Sequence, residues 1–142
     1  MTFEEELARH GQFIFTVKGR SMLPLIRPGD LVEIEQRPAG RLKRGEAALF
    51  KRSGRYVLHR ILQVRAEDYV FVGDNQYRCE RGIRDEQILG TLTAVIRDGK
   101  RLDTSSRGLR LYAGLWLGFY PLRAAVLWGI ASLRALRRRI KK

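Results

Sequence analysis

The sequence predicts a mainly β, antiparallel, barrel-like domain with a short N-terminal helix and an apolar, basic C-terminal helix. Short runs of β-branched and aromatic residues recur along most of the chain, and turn residues separate them. A helix-capping pattern opens the chain, and residues 111–133 form an apolar stretch of 23 residues with one charge. The length of 142 residues fits one domain with a C-terminal extension.

Local patterns predict the elements in chain order. Thr2-x-x-Glu5 is a capping box, which predicts a short helix that ends near His10. The alternation of aromatic and β-branched residues over 13–17 predicts the first strand. Similar runs predict further strands at residues 31–35, 47–51, 55–64, 69–72, 88–97 and 100–102.

Turns and caps divide these runs. Ser53-Gly54 and Asp98-Gly99 favour tight hairpins, whereas the polar residues 78–86 predict a loop. Thr104-Ser105-Ser106 then provides a cap for the next helix. We therefore expect a folded domain over residues 1–106 and an extension over residues 107–142.

The net charge of +13 is concentrated in this extension, which contains nine of the 28 Lys and Arg and none of the 15 Asp and Glu. Basic residues that follow a long apolar run favour anionic lipid, and we expect no nucleic acid partner.

About 20 apolar residues can cross a bilayer, but Arg123 near the middle of the apolar stretch would cost about 2.5–3.5 kcal/mol on insertion. A helix lying in the interface avoids that cost, and the alternative is a helix packed on the barrel or on a partner. We expect association with the cytoplasmic membrane, with the side of the domain left open.

The composition also excludes several kinds of site. Cys79 is the sole cysteine, so no internal disulfide can form. Two histidines and one cysteine cannot supply a structural zinc site, and no cofactor is implied. Residues 1–11 contain three glutamates and lack the basic and apolar regions of a signal peptide, so none is predicted.

Two polar residues lie where chemistry is possible. Ser21 follows the first predicted strand in a stretch where Pro24 fixes its own φ and Gly29 permits a tight turn. His59 lies within a strand after apolar residues, where a buried ring needs a partner. Imidazole exchanges a proton near pH 7 and can serve as a general base. From these patterns alone, an ordinary surface serine and a structural histidine fit as well.

Four ordered motifs resemble those of the S24/S26 superfamily, the LexA-type and signal peptidase serine peptidases. They are Ser21-Met22-x-Pro24 with Gly29-Asp30, the stretch 42–50, His59-Arg60 and Gly73-Asp74-Asn75. The resemblance is closest to ER-type signal peptidases, because His59 stands where LexA-type repressors and most bacterial signal peptidases have lysine. It implies the LexA/signal-peptidase fold and a serine endopeptidase that cleaves a precursor protein or peptide after small residues.

The resemblance also implies roles for individual residues. Ser21 would be the nucleophile and His59 the general base, with the backbone N–H of Ser21 and a group near Arg20 forming the oxyanion hole. Met22 and Pro24 would shape the substrate cleft. In ER-type enzymes the orienting acid follows six residues after the position of Asp74. That position holds Glu80 here, so we favour Asp74 as the acid and keep Glu80 as the alternative.

Two other functions remain open. A LexA-like self-cleaving regulator would carry a DNA-binding domain and an Ala-Gly or Cys-Gly cleavage site before the serine, and residues 1–20 contain neither. A catalytically inactive barrel could instead act as a membrane-bound binding module. The presence of both Ser21 and His59 argues against that second alternative.

Overall fold

A computed structural model describes residues 2–37 and 40–140. An antiparallel sheet of eight strands curls into a half barrel at its centre, which confirms the predicted fold class. The strands are β1 (Gln12–Thr16), β2 (Leu31–Gln36), β3 (Ala47–Arg52), β4 (Arg55–Val64), β5 (Tyr69–Val72), β6 (Glu80–Ile83), β7 (Ile88–Arg97) and β8 (Lys100–Asp103).

The first helix, α1 (Phe3–His10), begins and ends as its sequence predicts. The hydroxyl of Thr2 accepts from the Glu5 backbone N–H at 3.2 Å, and the Glu5 carboxylate accepts from the Thr2 backbone N–H at 3.0 Å. Gly11 ends the helix in the left-handed conformation, with φ of 72°. The capping box therefore forms.

The sheet is organised around β7. Its neighbours are β2 on one edge and β3 followed by β8 on the other, and the strand order along the main path is β1-β2-β7-β3-β4-β5-β6. The pairing with β2 requires a glycine at position 90, because a Cβ there would overlap the carbonyl oxygen of Glu35. The two strands therefore approach more closely there than any side chain would allow.

Both faces of the sheet are covered by apolar cores, as the alternation in β3 shows. Ala47 and Leu49 pack in one core, which also contains Val32 and side chains from α1 and the Ser21 turn. Ala48 and Phe50 point to the opposite face. That second core also contains Leu42, Ile61, Tyr69, Phe71, Ile83 and Ile88.

The loop predicted at residues 78–86 is wrong in part, because the chain there forms β6 and a 3₁₀ turn over Asp85–Gln87. Ile83 pairs with Tyr69 and is fully buried, while Glu80 pairs with Phe71. Four residues with a single apolar side chain show no readable alternation. Residues 80–83 form a strand because they pair with β5, which their local sequence does not indicate.

The C-terminal extension forms two helices, α2 (Arg107–Gly118) and α3 (Tyr120–Ile140), in place of one continuous helix. The predicted cap is present, since the Ser106 hydroxyl accepts from the Leu109 backbone N–H at 3.4 Å. Pro121 lies in the first turn of α3, where its missing N–H costs little. No single helix among the described residues is both long and apolar enough to span a membrane; α2 and α3 together are, but the chain bends by 65° between them. Lys141 and Lys142 of the predicted basic tail lie outside the described residues.

Candidate active site

Ser21 lies in a turn that is closed at its base. Val17 donates its backbone N–H to the Asp30 carbonyl at 2.9 Å, and Gly29 donates to the Val17 carbonyl at 2.8 Å. The buried Asp30 carboxylate accepts from the Arg97 guanidinium on β7 at 2.9 Å, and this contact lowers the pKa of Asp30. The turn is thereby held to the sheet, and Ser21 is presented half-buried.

The fold brings Ser21 and His59 to one cavity. His59 lies on β4 opposite Ala48 of β3, and 4% of it is exposed. Both residues line a cavity of about 580 Å³, together with Gln76 and Glu80. The remaining wall is mostly apolar and includes Phe3, Phe15, Met22, Ile26, Leu49 and Leu58. A hydroxyl, an imidazole and a carboxylate therefore share one partly apolar site.

Glu80 is the carboxylate beside His59. Its Oε1 lies 3.0 Å from His59 Nδ1, and the Glu80 side chain is 30% exposed. Nδ1 is buried without an aligned hydrogen bond among the described residues, so the carboxylate contacts the ring off the N–H direction and forms an ion pair only when the imidazole is protonated. Burial lowers the pKa of His59 below 6.5, and the charges of Glu80 and Asp74 offset part of this effect. Burial therefore favours the neutral imidazole, which is the form that can accept a proton.

Asp74 has different partners. Its carboxylate is fully buried and accepts two hydrogen bonds from Arg60, from Nε at 2.8 Å and from Nη2 at 2.9 Å. It also accepts from the Tyr112 hydroxyl at 2.9 Å. Arg60 follows His59 along β4 and therefore points to the other face of the sheet. Glu80, and not Asp74, is therefore the carboxylate in contact with His59.

The Gly73-Asp74-Asn75 motif also holds the serine turn. The Asn75 backbone N–H donates to the Ser21 carbonyl at 2.8 Å, and its side-chain amide donates to the Arg20 carbonyl at 3.2 Å. A Cβ at Gly73 would lie 2.6 Å from the same Ser21 carbonyl oxygen. Position 73 therefore has to be glycine, and Asn75 links this motif to the turn that carries Ser21.

The remaining predicted site residues are divided between cavity and surface. Met22 is 3% exposed and lines the cavity, whereas Pro24 is exposed and is absent from the described cavity wall.

The backbone N–H of Ser21 has no acceptor within residues 2–37 and 40–140, and the Arg20 carbonyl accepts from the backbone N–H of Leu23 and the side-chain amide of Asn75. Among those same residues, no cluster of three metal-ligating side chains occurs.

Three aromatic residues of the C-terminal helices contact this region, and the sequence did not indicate these contacts. Trp116 donates its indole N–H to the Asp74 carbonyl at 2.7 Å, and Tyr120 donates its hydroxyl to the Tyr77 carbonyl at 2.7 Å. Tyr112 donates to the Asp74 carboxylate. Tyr112 and Trp116, four residues apart, lie on one face of α2, and Tyr120 is the first residue of α3. The repeated spacing of four residues was the available signal in the sequence.

Arg123 packs against the same aromatic residues. Its guanidinium carbon lies 5.1 Å from the ring centroids of both Trp116 and Tyr120. The guanidinium nitrogens are buried with no hydrogen-bond partner in the described part of the chain, and burial lowers the pKa of Arg123. Cation–π contacts therefore replace hydrogen bonds for this side chain.

Comparison with known proteins identifies a family for most of the chain. A protein-family model described as Peptidase S24-like matches residues 1–93, a range that contains Ser21, His59, Asp74 and Glu80. No curated protein matches the chain.

Proposed function

Because the chain belongs to the Peptidase S24-like family, within the serine peptidase and LexA-like superfamily, we propose that it is an endopeptidase with Ser21 as nucleophile, His59 as general base and Glu80 as orienting acid. The observation that carries this proposal is the shared cavity. Ser21 and His59 both line it, and Glu80 lies 3.0 Å from His59 Nδ1. Asp74, the acid favoured from the sequence, is engaged with Arg60 instead.

The chemistry follows from these three groups. His59 accepts the proton of the Ser21 hydroxyl as the serine oxygen attacks the carbonyl carbon of the scissile bond. The negative charge of Glu80 stabilises the imidazolium that forms. The imidazolium then returns the proton to the leaving amine, and water hydrolyses the acyl-enzyme by the same route. The backbone N–H of Ser21 is a donor for the developing oxyanion.

We propose signal-peptidase-type specificity, namely cleavage of a precursor protein or peptide after small residues. Its support is the use of histidine, where the resemblance to ER-type signal peptidases is closest. The apolar wall formed by residues such as Phe15, Met22 and Leu58 suits an apolar peptide segment next to the cut bond.

We also propose that α2 and α3 lie on the surface of an anionic membrane. Their outward faces expose Leu115, Leu122 and Trp128, at 52%, 65% and 61%. The last turns of α3 carry Arg134 and Arg137 to Arg139, and no acidic residue occurs after position 103. An apolar face next to a purely basic end complements anionic headgroups. Helices that lie in the interface place no charge at the bilayer centre, and the Arg123 guanidinium is buried against Trp116 and Tyr120.

A serine-directed fluorophosphonate probe tests the peptidase proposal. The native protein should be labelled, Ser21→Ala should not be, and His59→Ala should react more slowly by roughly 10³-fold or more. Ser132→Ala is the matched control, because Ser132 is exposed on α3 and far along the chain from the site. Equal labelling of all four proteins would contradict the proposal.

A further inference from the structure

We infer that α2 and the first turn of α3 position the active-site loop, defined as residues 73–80, and that Tyr112, Trp116 and Tyr120 are positioning residues for the peptidase. The inference rests on the proposed function, because the loop carries Glu80. It assigns to the C-terminal helices a task inside the catalytic domain, in addition to any contact with lipid.

The helices donate three hydrogen bonds to Asp74 and Tyr77 of this loop. Tyr112 donates to the Asp74 carboxylate at 2.9 Å, and Trp116 donates to the Asp74 backbone carbonyl at 2.7 Å. Tyr120, the first residue of α3, donates to the Tyr77 carbonyl at 2.7 Å. Two of these bonds end on backbone carbonyls, so they fix the path of the loop itself.

The opposite side of the loop contacts both reacting residues. Asn75 donates its backbone N–H to the Ser21 carbonyl at 2.8 Å, and Glu80 lies 3.0 Å from His59 Nδ1. The loop is therefore held between the aromatic side chains of the C-terminal helices and the serine–histidine pair. A displacement of the loop would move the serine turn and the orienting carboxylate together.

Tyr112 and Trp116 also pack over the ion pair between Asp74 and Arg60. The rings of Tyr112 and Trp116 stack at 5.6 Å, and the Arg60 guanidinium carbon lies 5.5 Å from the Tyr112 centroid. Asp74 is fully buried beneath them. Because buried ion pairs depend on a complete set of partners, loss of these contacts would loosen the loop at its centre.

The test uses the full chain and the conservative double variant Tyr112→Phe/Trp116→Phe, which keeps two rings and removes two donors. The fluorophosphonate acylation rate at Ser21 should fall by roughly 10- to 100-fold, because small displacements of catalytic groups cost this much. Amide hydrogen exchange should become faster in residues 73–80, while β3 and β7 keep their protection. Trp128→Phe is the matched control, because Trp128 is 61% exposed on α3, and it should leave both measurements unchanged.

Three results would each overturn the inference. The first is an acylation rate equal to that of the native protein. The second is faster exchange throughout β3 and β7 in step with the loop, which would show a general loss of stability. The third is unchanged exchange in residues 73–80 of the double variant, which would refute positioning by the helices separately from the proposed function. If the native protein is not labelled at all, the proposed function fails.

Discussion

Nδ1 of His59 lies 3.0 Å from Oε1 of Glu80, which is the first residue of β6. Asp74, six residues earlier, directs its carboxylate to Arg60 and Tyr112. The two acids therefore have separate partners. Glu80 contacts the imidazole, while Asp74 is part of the buried framework that supports the loop between them.

The variant Glu80→Gln should shift the pH dependence of acylation. The reaction needs neutral His59, so the rate rises as pH increases through the pKa of His59. Since the Glu80 charge raises that pKa against the effect of burial, its removal lowers the pKa, and the midpoint moves to lower pH. The rate at the plateau should fall by roughly tenfold or more, because the imidazolium loses its partner.

The matched control for this measurement is Glu86→Gln, since the Glu86 side chain is 79% exposed. Its pH profile should coincide with that of the native protein. A midpoint that moves to higher pH in Glu80→Gln would contradict the assignment of Glu80.

The variant Asp74→Asn should lower the free energy of unfolding by about 3–5 kcal/mol, because it leaves the Arg60 guanidinium buried without its counter-charge. Urea unfolding followed by circular dichroism measures this change. The control Asp68→Asn removes the solvent-screened pair with Arg65 and should change the free energy of unfolding far less. Equal effects of the two substitutions would show that the Asp74 pair contributes little to stability.

The variant Gly73→Ala should slow acylation by roughly 10- to 100-fold. The added Cβ would lie 2.6 Å from the Ser21 carbonyl and 2.8 Å from the Gln76 side-chain oxygen, so the serine turn has to move. Gly108→Ala on α2 is the control, because its Cβ meets no atom within 4 Å. If both variants are acylated at the native rate, the close contact between position 73 and the Ser21 carbonyl is contradicted.

Replacement of Arg134, Arg137, Arg138 and Arg139 by Gln should weaken binding to anionic vesicles. Each basic side chain near an anionic surface contributes about 1 kcal/mol, so the partition coefficient should fall by roughly 10²- to 10³-fold. Co-sedimentation with vesicles of phosphatidylglycerol and phosphatidylcholine measures it, at low and at high salt.

The control for vesicle binding replaces four exposed basic residues of the sheet domain, Arg27, Lys43, Arg55 and Lys100, by Gln. Equal loss in both variants would indicate general attraction of a basic protein. Concentration-dependent dimerisation without vesicle binding would assign the exposed apolar face to a second copy of the chain.

The sequence by itself determined the strands with clear alternation, the capping box at Thr2 and Glu5, and the hairpins at Ser53 and Asp98. These features depend on residues close together in the chain, so local propensity is sufficient to indicate them. The order of the motifs also indicated Ser21 and His59 as candidate nucleophile and base. The match to the Peptidase S24-like family supports the class of protein in which such a pair occurs.

The tertiary structure decided which carboxylate lies beside His59, that residues 80–83 form a strand, and that Tyr112 and Trp116 contact Asp74. Each of these depends on segments far apart in the chain meeting at a specific register. No local pattern encodes that meeting, because a carboxylate or an aromatic ring has the same propensity whichever partner the fold brings to it.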